Sequence, residues 1–411
     1  MTKSRQRRLF NKRKKRWPSY RGYRCKIKNE SIKKIDANTI TPERFFTEFV
    51  AKRRPCIISG LAAAHDFGIL SECVGSVEKW CAVLKKCAGK ARIRVEKRKQ
   101  NGRGFGRGSD KNQLKLNTLL DHLQDAAHNN RDADYYLTTQ PLAEDEEGRP
   151  EICGEPCTSL FLRTPKSPPL IPTLLSTLIP ANINVWMGCG FFQKKKNERN
   201  SSGLHHDFHD NLLLLLSGRK LFRCWDPTIT SIAKPTGGQP LRIYANGRIV
   251  YKATPSVLAD GRDSVSAKAQ TISSRLDHTD DEDELERLLD AALDTENAHR
   301  DQSFDTKSDP ANFATIPRAH SPKDSNVYPD LRHLPSLASF VLKPGDALYL
   351  PCGWWHEVTS FNGFHAAWNY WFHPPTTSSF SRPYDSPFWQ ADWNLRCQGD
   401  NSILSSFLVD D

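Results

Sequence analysis

A chain of 411 residues with 38% hydrophobic and 10% aromatic content is long enough for two domains, or for one large β domain with additions. No apolar run approaches the roughly 18 residues of a membrane span, and the N-terminus is too polar for a secretory leader, so no membrane partner is expected. The formal net charge of +12 is unevenly placed.

A dense basic block, KSRQRRLFNKRKKR, fills residues 3–16. Residues 1–35 therefore read as a flexible basic tail. Such a tail suits a nuclear address or an arm that touches nucleic acid, with the cytoplasm as the other compartment. The 11 cysteines are scattered, and none forms a CxxC pair. That pattern argues against a zinc ribbon and for reduced thiols inside a cell.

Taken in order, the first element is a helix at Pro42-Glu43-Arg44-Phe45-Phe46, with Thr41 as its cap. A short buried strand ending at glycine follows in Arg54-Pro55-Cys56-Ile57-Ile58-Ser59-Gly60-Leu61. Trp80, Val83 and Leu84 stand at helical spacing, Ala91 to Val95 alternates as a strand does, and Leu116, Leu119, Leu120 and Leu123 mark another helix. Between them lies KRKQNGRGFGRGSDK, whose RGFGRG core is similar to RNA-binding arginine–glycine segments. The favoured reading is a loop of a globular domain that lines a substrate channel. Asp134 to Thr139 and Ile183 to Gly188 read as strands, and 148–172 as loop with brief structure.

The richest stretch is Leu204-His205-His206-Asp207-Phe208-His209-Asp210-Asn211, followed by five leucines and Ser217-Gly218-Arg219-Lys220. Read as a strand, it puts His205 and Asp207 on one face and His206 and Phe208 on the other. Gly218 punctuates it. Leu241 to Tyr251 is a hairpin with an Asn246-Gly247 turn. Residues 259–325 turn acidic and read as a partly disordered insert around one amphipathic helix at Leu285 to Leu293. Beyond it come a Pro344-Gly345-Asp346 turn, a strand at Ala347 to Leu350, a second turn at Pro351 to Gly353, a strand from Trp355, and an aromatic strand from Ala366 to Phe372. Many short strands with turn signals fit a mainly β fold with flanking helices, a double-stranded β-helix (jelly roll) of the cupin kind.

His356 is the natural third partner for His205 and Asp207. Two histidines and one carboxylate make the facial triad of non-haem Fe(II), with coordination positions left open. The bland alternatives are a chance HxD, a satisfied core histidine at 356, or His205 and His209 paired on a helix.

With those residues on view, the chain resembles the JmjC-domain, cupin-like Fe(II)/2-oxoglutarate dioxygenases, in their small hydroxylase-type branch. The resemblance rests on Pro55 to Leu61, Asn184 to Gly188, Leu204 to Leu213, Ser217 to Lys220, Lys343 to Asp346, Leu350 to His356 and Trp368 to Trp371. It divides the chain into the tail (1–35), an N-terminal α+β part (36–165), a jelly-roll core (166–375) interrupted by the 259–325 insert, and an extension (376–411). It implies that His205, Asp207 and His356 bind Fe(II). It implies that Lys220 takes the distal carboxylate of 2-oxoglutarate with help from Ser202 and Tyr136, and that Asn211 and Asn369 lie near the co-substrate. O2 would be the oxidant. The activity implied is hydroxylation of a protein side chain, or demethylation of a methylated lysine or arginine, on a basic partner such as a histone or a ribosomal protein. Hydroxylation of a modified RNA base and a catalytically silent scaffold are the alternatives.

Overall fold

Short strands closed by glycine and proline turns pair into one ten-stranded sheet and one separate hairpin. The computed structural model describes residues 19–97, 105, 111–140, 142, 150–191, 201–236, 240–251, 312–315 and 334–398. In chain order the strands are β1 (Lys33–Asp36), β2 (Cys56–Ser59), β3 (Arg92–Lys97), β4 (Lys111–Lys115), β5 (Tyr135–Leu137), β6 (Pro180–Gly190), β7 (Asp210–Trp225), β8 (Pro240–Ile243), β9 (Ile249–Tyr251), β10 (Phe340–Leu342), β11 (Ala347–Leu350) and β12 (Trp355–Phe372). The large sheet runs β1-β2-β11-β7-β12-β6-β5-β3-β4, with β10 also on β7; β8 and β9 form the hairpin. Helices flank it, and the fold is a cupin-type jelly roll. No helix among the described residues is long and apolar enough to cross a membrane.

The expected elements stand where their local chemistry placed them. Thr41 Oγ1 accepts the Arg44 N–H, which caps the helix that opens at Pro42. Ser76 does the same for the Val77–Ala88 helix, which buries Trp80, Cys81 and Leu84. Leu116, Leu119, Leu120 and Leu123 form the buried face of the Leu116–His128 helix. These faces share one core with β6, the even-numbered leucines of β7 and the aromatic half of β12.

Several expectations are corrected. A flexible tail to residue 35 is not what the chain forms from Ser19 onward. Tyr20 and Cys25 are buried, the Cys25 N–H donates to Asp226, Tyr23 stacks on Trp354, and β1 pairs with β2 in parallel. The apolar anchors that achieve this are single residues between arginines and lysines, so the charge pattern hid them. Within 148–172 there is a helix, Cys157–Arg163. The extension after 376 carries another, Phe388–Gln398. The acidic helix expected at 285–293 lies outside the described residues, as does the insert except for residues 312–315. Those four are packed into the fold, with Phe313 and Ala314 buried.

The central pair, β7 and β12, decides the site. Gly218 does not end β7, which continues to Trp225. The two strands expected at 355 and 366 are one, β12. Their register jumps from Phe361 opposite Arg219 to Ala366 opposite Ser217. Gly218, Asn362 and Gly363 all have positive φ there, and a Cβ on Gly218 would lie 2.5 Å from the Cβ of His365. A bulge of this kind reverses which residues face a given side.

A second close approach joins two glycine turns. Gly353 has φ +73, and a Cβ there would meet Gly247 O at 2.0 Å. Gly247, in the Asn-Gly turn of the hairpin, has φ +94. Gly353→Ala is expected to destabilise the protein by at least the ~1–3 kcal/mol of a strained backbone, and to splay the turn that precedes His356. Chemical denaturation of the variant measures it; wild-type stability would show that the turn has room to shift.

Candidate active site

His205 and Asp207 do not sit on a strand. They occupy the loop that leads into β7, and His205 makes isolated bridges to His356 on one side and Phe313 on the other. The His205 N–H donates to His356 O at 3.0 Å, and the His356 N–H returns to His205 O at 2.7 Å. The two imidazoles are thereby held 4.2 Å apart, centre to centre. His356 is the second residue of β12, directly after the Pro351-Cys352-Gly353 turn. Gly353 N–H donates to Asp207 O at 2.9 Å, which ties the carboxylate's own backbone to that turn.

A buried ion pair holds the same two segments. Arg53 and Asp210, both buried, pair through both guanidinium ends, one bond being Nη1 to Oδ2 at 2.7 Å. The Asp210 carboxylate also accepts Tyr349 OH at 3.0 Å and Cys352 N–H at 2.9 Å. Every donor it takes comes from outside its own loop, so the loop has little freedom to drift from the turn that carries His356.

One ligand atom from each of His205, Asp207 and His356 lies within 4.8 Å of the others, and His356 Nε2 is 3.8 Å from Asp207 Oδ2. The nitrogen on the far side of each ring is committed. His205 Nδ1 is 3.0 Å from Gly203 O, and His356 Nδ1 is 2.9 Å from Trp354 O. A carbonyl can only accept, so each Nδ1 carries the hydrogen and each Nε2 keeps its lone pair for a cation. That arrangement is usual behind metal-binding histidines. The residues present therefore fit a divalent ion such as Fe(II), with two neutral nitrogens and one carboxylate oxygen.

The fold has known relatives. A family model described as a cupin-like domain matches residues 42–378. This chain belongs to the cupin-like, JmjC-type family. It is 27% identical over 459 aligned residues to the JmjC domain-containing protein 4 of Schizosaccharomyces pombe, covering 92% of each chain. It is 24% identical over 295 residues to the lysine-specific demethylase JMJ31 of Arabidopsis thaliana, across 72% of this chain and 36% of that one.

In this JmjC-type domain the triad opens onto a cavity of about 240 Å³. Lys220 lines it, 3% exposed. Its Nζ lies 3.0 Å from Ser360 Oγ and 3.4 Å from Tyr136 OH. No carboxylate pairs with it among the described residues. Burial alone pulls its pKa from 10.5 down to about 7. Lys220 reaches the cavity because of the bulge. Asn211 and Leu213 line the wall before Gly218, and Lys220 and Phe222 after it, so the inward parity switches from odd to even. On β12 the switch runs the other way, from His356, Val358 and Ser360 to Trp371.

Of the other expected residues, Tyr136 is beside Lys220. Ser202 lines the cavity, but its hydroxyl donates to Gly203 O and accepts the Val358 N–H. The serine that touches Lys220 is Ser360, its cross-strand partner. Alternation from His356 could have found it. Asn211 lines the cavity. Asn369 stands behind it, fully buried, accepting the Trp186 indole N–H at 2.7 Å and lying 3.4 Å from Asn211. His206 is no ligand. Its Nε2 meets Tyr251 OH at 2.6 Å, and burial lowers its pKa to about 4. Sequence reasoning missed Trp371, Asn312 and Phe313 in the wall. Phe105, from the RGFGRG stretch, does line the cavity and stacks on Tyr136 at 5.0 Å.

Proposed function

We propose that this protein is an Fe(II)- and 2-oxoglutarate-dependent oxygenase acting on a protein side chain, by hydroxylation or by removal of an N-methyl group. One observation carries the reading. A buried lysine with no counter-charge among the described residues shares a cavity with a two-histidine, one-carboxylate triad. An unpaired buried cation is costly, and such groups persist where a ligand supplies the opposite charge.

Each residue then has a task. His205, Asp207 and His356 hold the metal from one side and leave the cavity side open. Lys220 pairs with the distal carboxylate of the co-substrate, and Tyr136 OH and Ser360 Oγ donate to it. Asn211, fixed by Asn369, presents a polar edge to the remainder. Leu213, Phe222, Leu348 and Leu350 keep water from the floor. Bound iron with 2-oxoglutarate and O2 supplies the oxidising power that converts a C–H bond to C–OH, with succinate and CO2 as co-products. On an N-methyl group the same change releases formaldehyde.

The demethylase name of the Arabidopsis relative supports the N-methyl arm, and the JmjC-type fold supports both. The basic block at 3–16 favours a nuclear protein whose partners include nucleic acid or the basic proteins that bind it. A modified RNA base is the second reading, since Phe105 lines the cavity and could stack on a base.

Binding of 2-oxoglutarate to Mn(II)-loaded protein tests the proposal directly. Lys220 is mostly neutral at pH 8 in the empty site and becomes an ammonium against the carboxylate. Calorimetry in buffers of different ionisation heat should show uptake of about 0.9 proton at pH 8 and about 0.1 at pH 6. Absence of any binding refutes the function; binding with no proton uptake refutes the role of Lys220.

A further inference from the structure

The cavity has a floor and a rim. Lys220, Ser360 and His356 are buried on the floor, whereas Phe105, Trp186, Trp371 and Asn312 are half-exposed. His205 and Asp207 lie between, also half-exposed. A substrate group must pass the rim to reach the metal ligands, and beside His205 the cavity wall is made by half-exposed Asn312 and buried Phe313. Phe313 lies face-on to the His205 imidazole, 4.8 Å away and 11° from parallel.

These two residues come from the far end of the acidic insert and are rigidly stitched in. The His206 N–H donates to Asn312 O at 3.1 Å, and Asn312 Nδ2 returns to His206 O at 2.6 Å. The Thr236 N–H donates to Phe313 O at 2.8 Å, and the Ala314 N–H to Leu204 O at 2.9 Å. Both edges of residues 312–315 are thus used, one by the metal-binding loop and one by the segment after β7. The strand that precedes the insert, β9, reaches the same place through Tyr251 OH on His206. A surface insertion with no part in the site would not need to end on the residue between two metal ligands.

We propose that Phe313, oriented by the Asn312 bonds, is a specificity-determining residue: its ring sets the width of the passage beside the metal for the substrate group. The inference rests on the 2-oxoglutarate oxygenase reading and adds that the wall is built by the return of the insert. Phe313 touches a ligand ring but supplies no ligand, so metal affinity should be indifferent to its size.

The test compares Phe313→Ala, Phe313→Leu and wild type, all full-length and Mn(II)-loaded. The probes are N-oxalylglycine, which mimics the co-substrate, and the two enantiomers of N-oxalylphenylalanine, which add a benzyl group. Removing the ring should raise affinity for at least one benzyl probe by about tenfold or more relative to N-oxalylglycine, with leucine intermediate. Affinity for Mn(II) should stay within about threefold, well short of the 10–100-fold loss that follows removal of a ligand's support. An unchanged probe ratio overturns the proposal. So does a loss of Mn(II) affinity in both variants, which would make Phe313 a prop for His205. Failure of N-oxalylglycine to bind the wild type would instead sink the oxygenase reading on which the proposal stands.

Discussion

Replacing Asp207 by alanine should abolish metal binding and 2-oxoglutarate turnover while leaving the empty protein folded. The carboxylate is the sole anionic ligand of the triad, and the two histidines that remain are neutral. Its loss should weaken Mn(II) or Fe(II) binding by more than about 100-fold, beyond the cost typical of residues that only support ligands. The fold should tolerate the change, because Asp207 is half-exposed and its backbone carbonyl still accepts the Gly353 N–H. Thermal melting separates the two effects. Metal at about 100 times its dissociation constant stabilises the wild type by about 2.7 kcal/mol, and that increment should vanish in the variant. Succinate formation with Fe(II), ascorbate and 2-oxoglutarate should fall to background. Equal metal-induced stabilisation in wild type and variant would show that the triad is not the metal site.

Lys220→Met should do something less usual: stabilise the empty protein while removing co-substrate binding. The ammonium is buried against hydroxyls, with no acid paired to it among the described residues, and burial lowers its pKa from 10.5 to about 7. The sign follows from proton counting. Below pH 7 the lysine is charged in both the folded and the unfolded chain, and folding bears the whole desolvation cost. Between pH 7 and 10.5 the folded chain releases the proton that the unfolded chain keeps, so stability rises with pH. That cost is on the order of 5 kcal/mol below pH 7, and methionine removes it while conserving length and most of the packing. The gain should therefore be largest at pH 6 and should shrink at pH 9. Denaturant unfolding at both values measures it. Affinity for 2-oxoglutarate should drop about 100-fold or more, as expected when one partner of a buried charge pair is truncated. A variant less stable than wild type at pH 6, or one that binds 2-oxoglutarate normally, would contradict this account.

Both expectations draw on residues that could be named before any coordinates existed. His205, Asp207 and His356 stand in motifs whose chemistry is local: a ligand pair one residue apart, and a histidine after a Pro-Cys-Gly turn. The strands around them carry their own signals, as in the PGD turn before β11. Tyr136 and Lys220 were legible through family resemblance, and the cavity brings them together. Alternation already set His206 apart from His205 and Asp207, and packing supplies the partners that the sequence did not name: Tyr251 for His206, and Trp371 and His373 for His209.

What the chain determines by itself, then, is composition and period: turn residues, capping residues, buried faces, and the three residues able to hold a metal. Those depend on neighbours a few positions away. What only the tertiary structure decided depends on register between distant segments. A register break around Gly218, opposite Asn362 and Gly363, reverses the parity of two strands, and with it Lys220 faces the cavity and pairs with Ser360 instead of Ser202. The end of an acidic insert, unremarkable as sequence, comes back as the Asn312–Phe313 wall beside His205. Single aromatic residues in a basic segment, Tyr20 and Tyr23, bind it to the domain where charge alone suggested a free tail. In each case the deciding partner is far away along the chain, and contacts of that kind leave no local period to read.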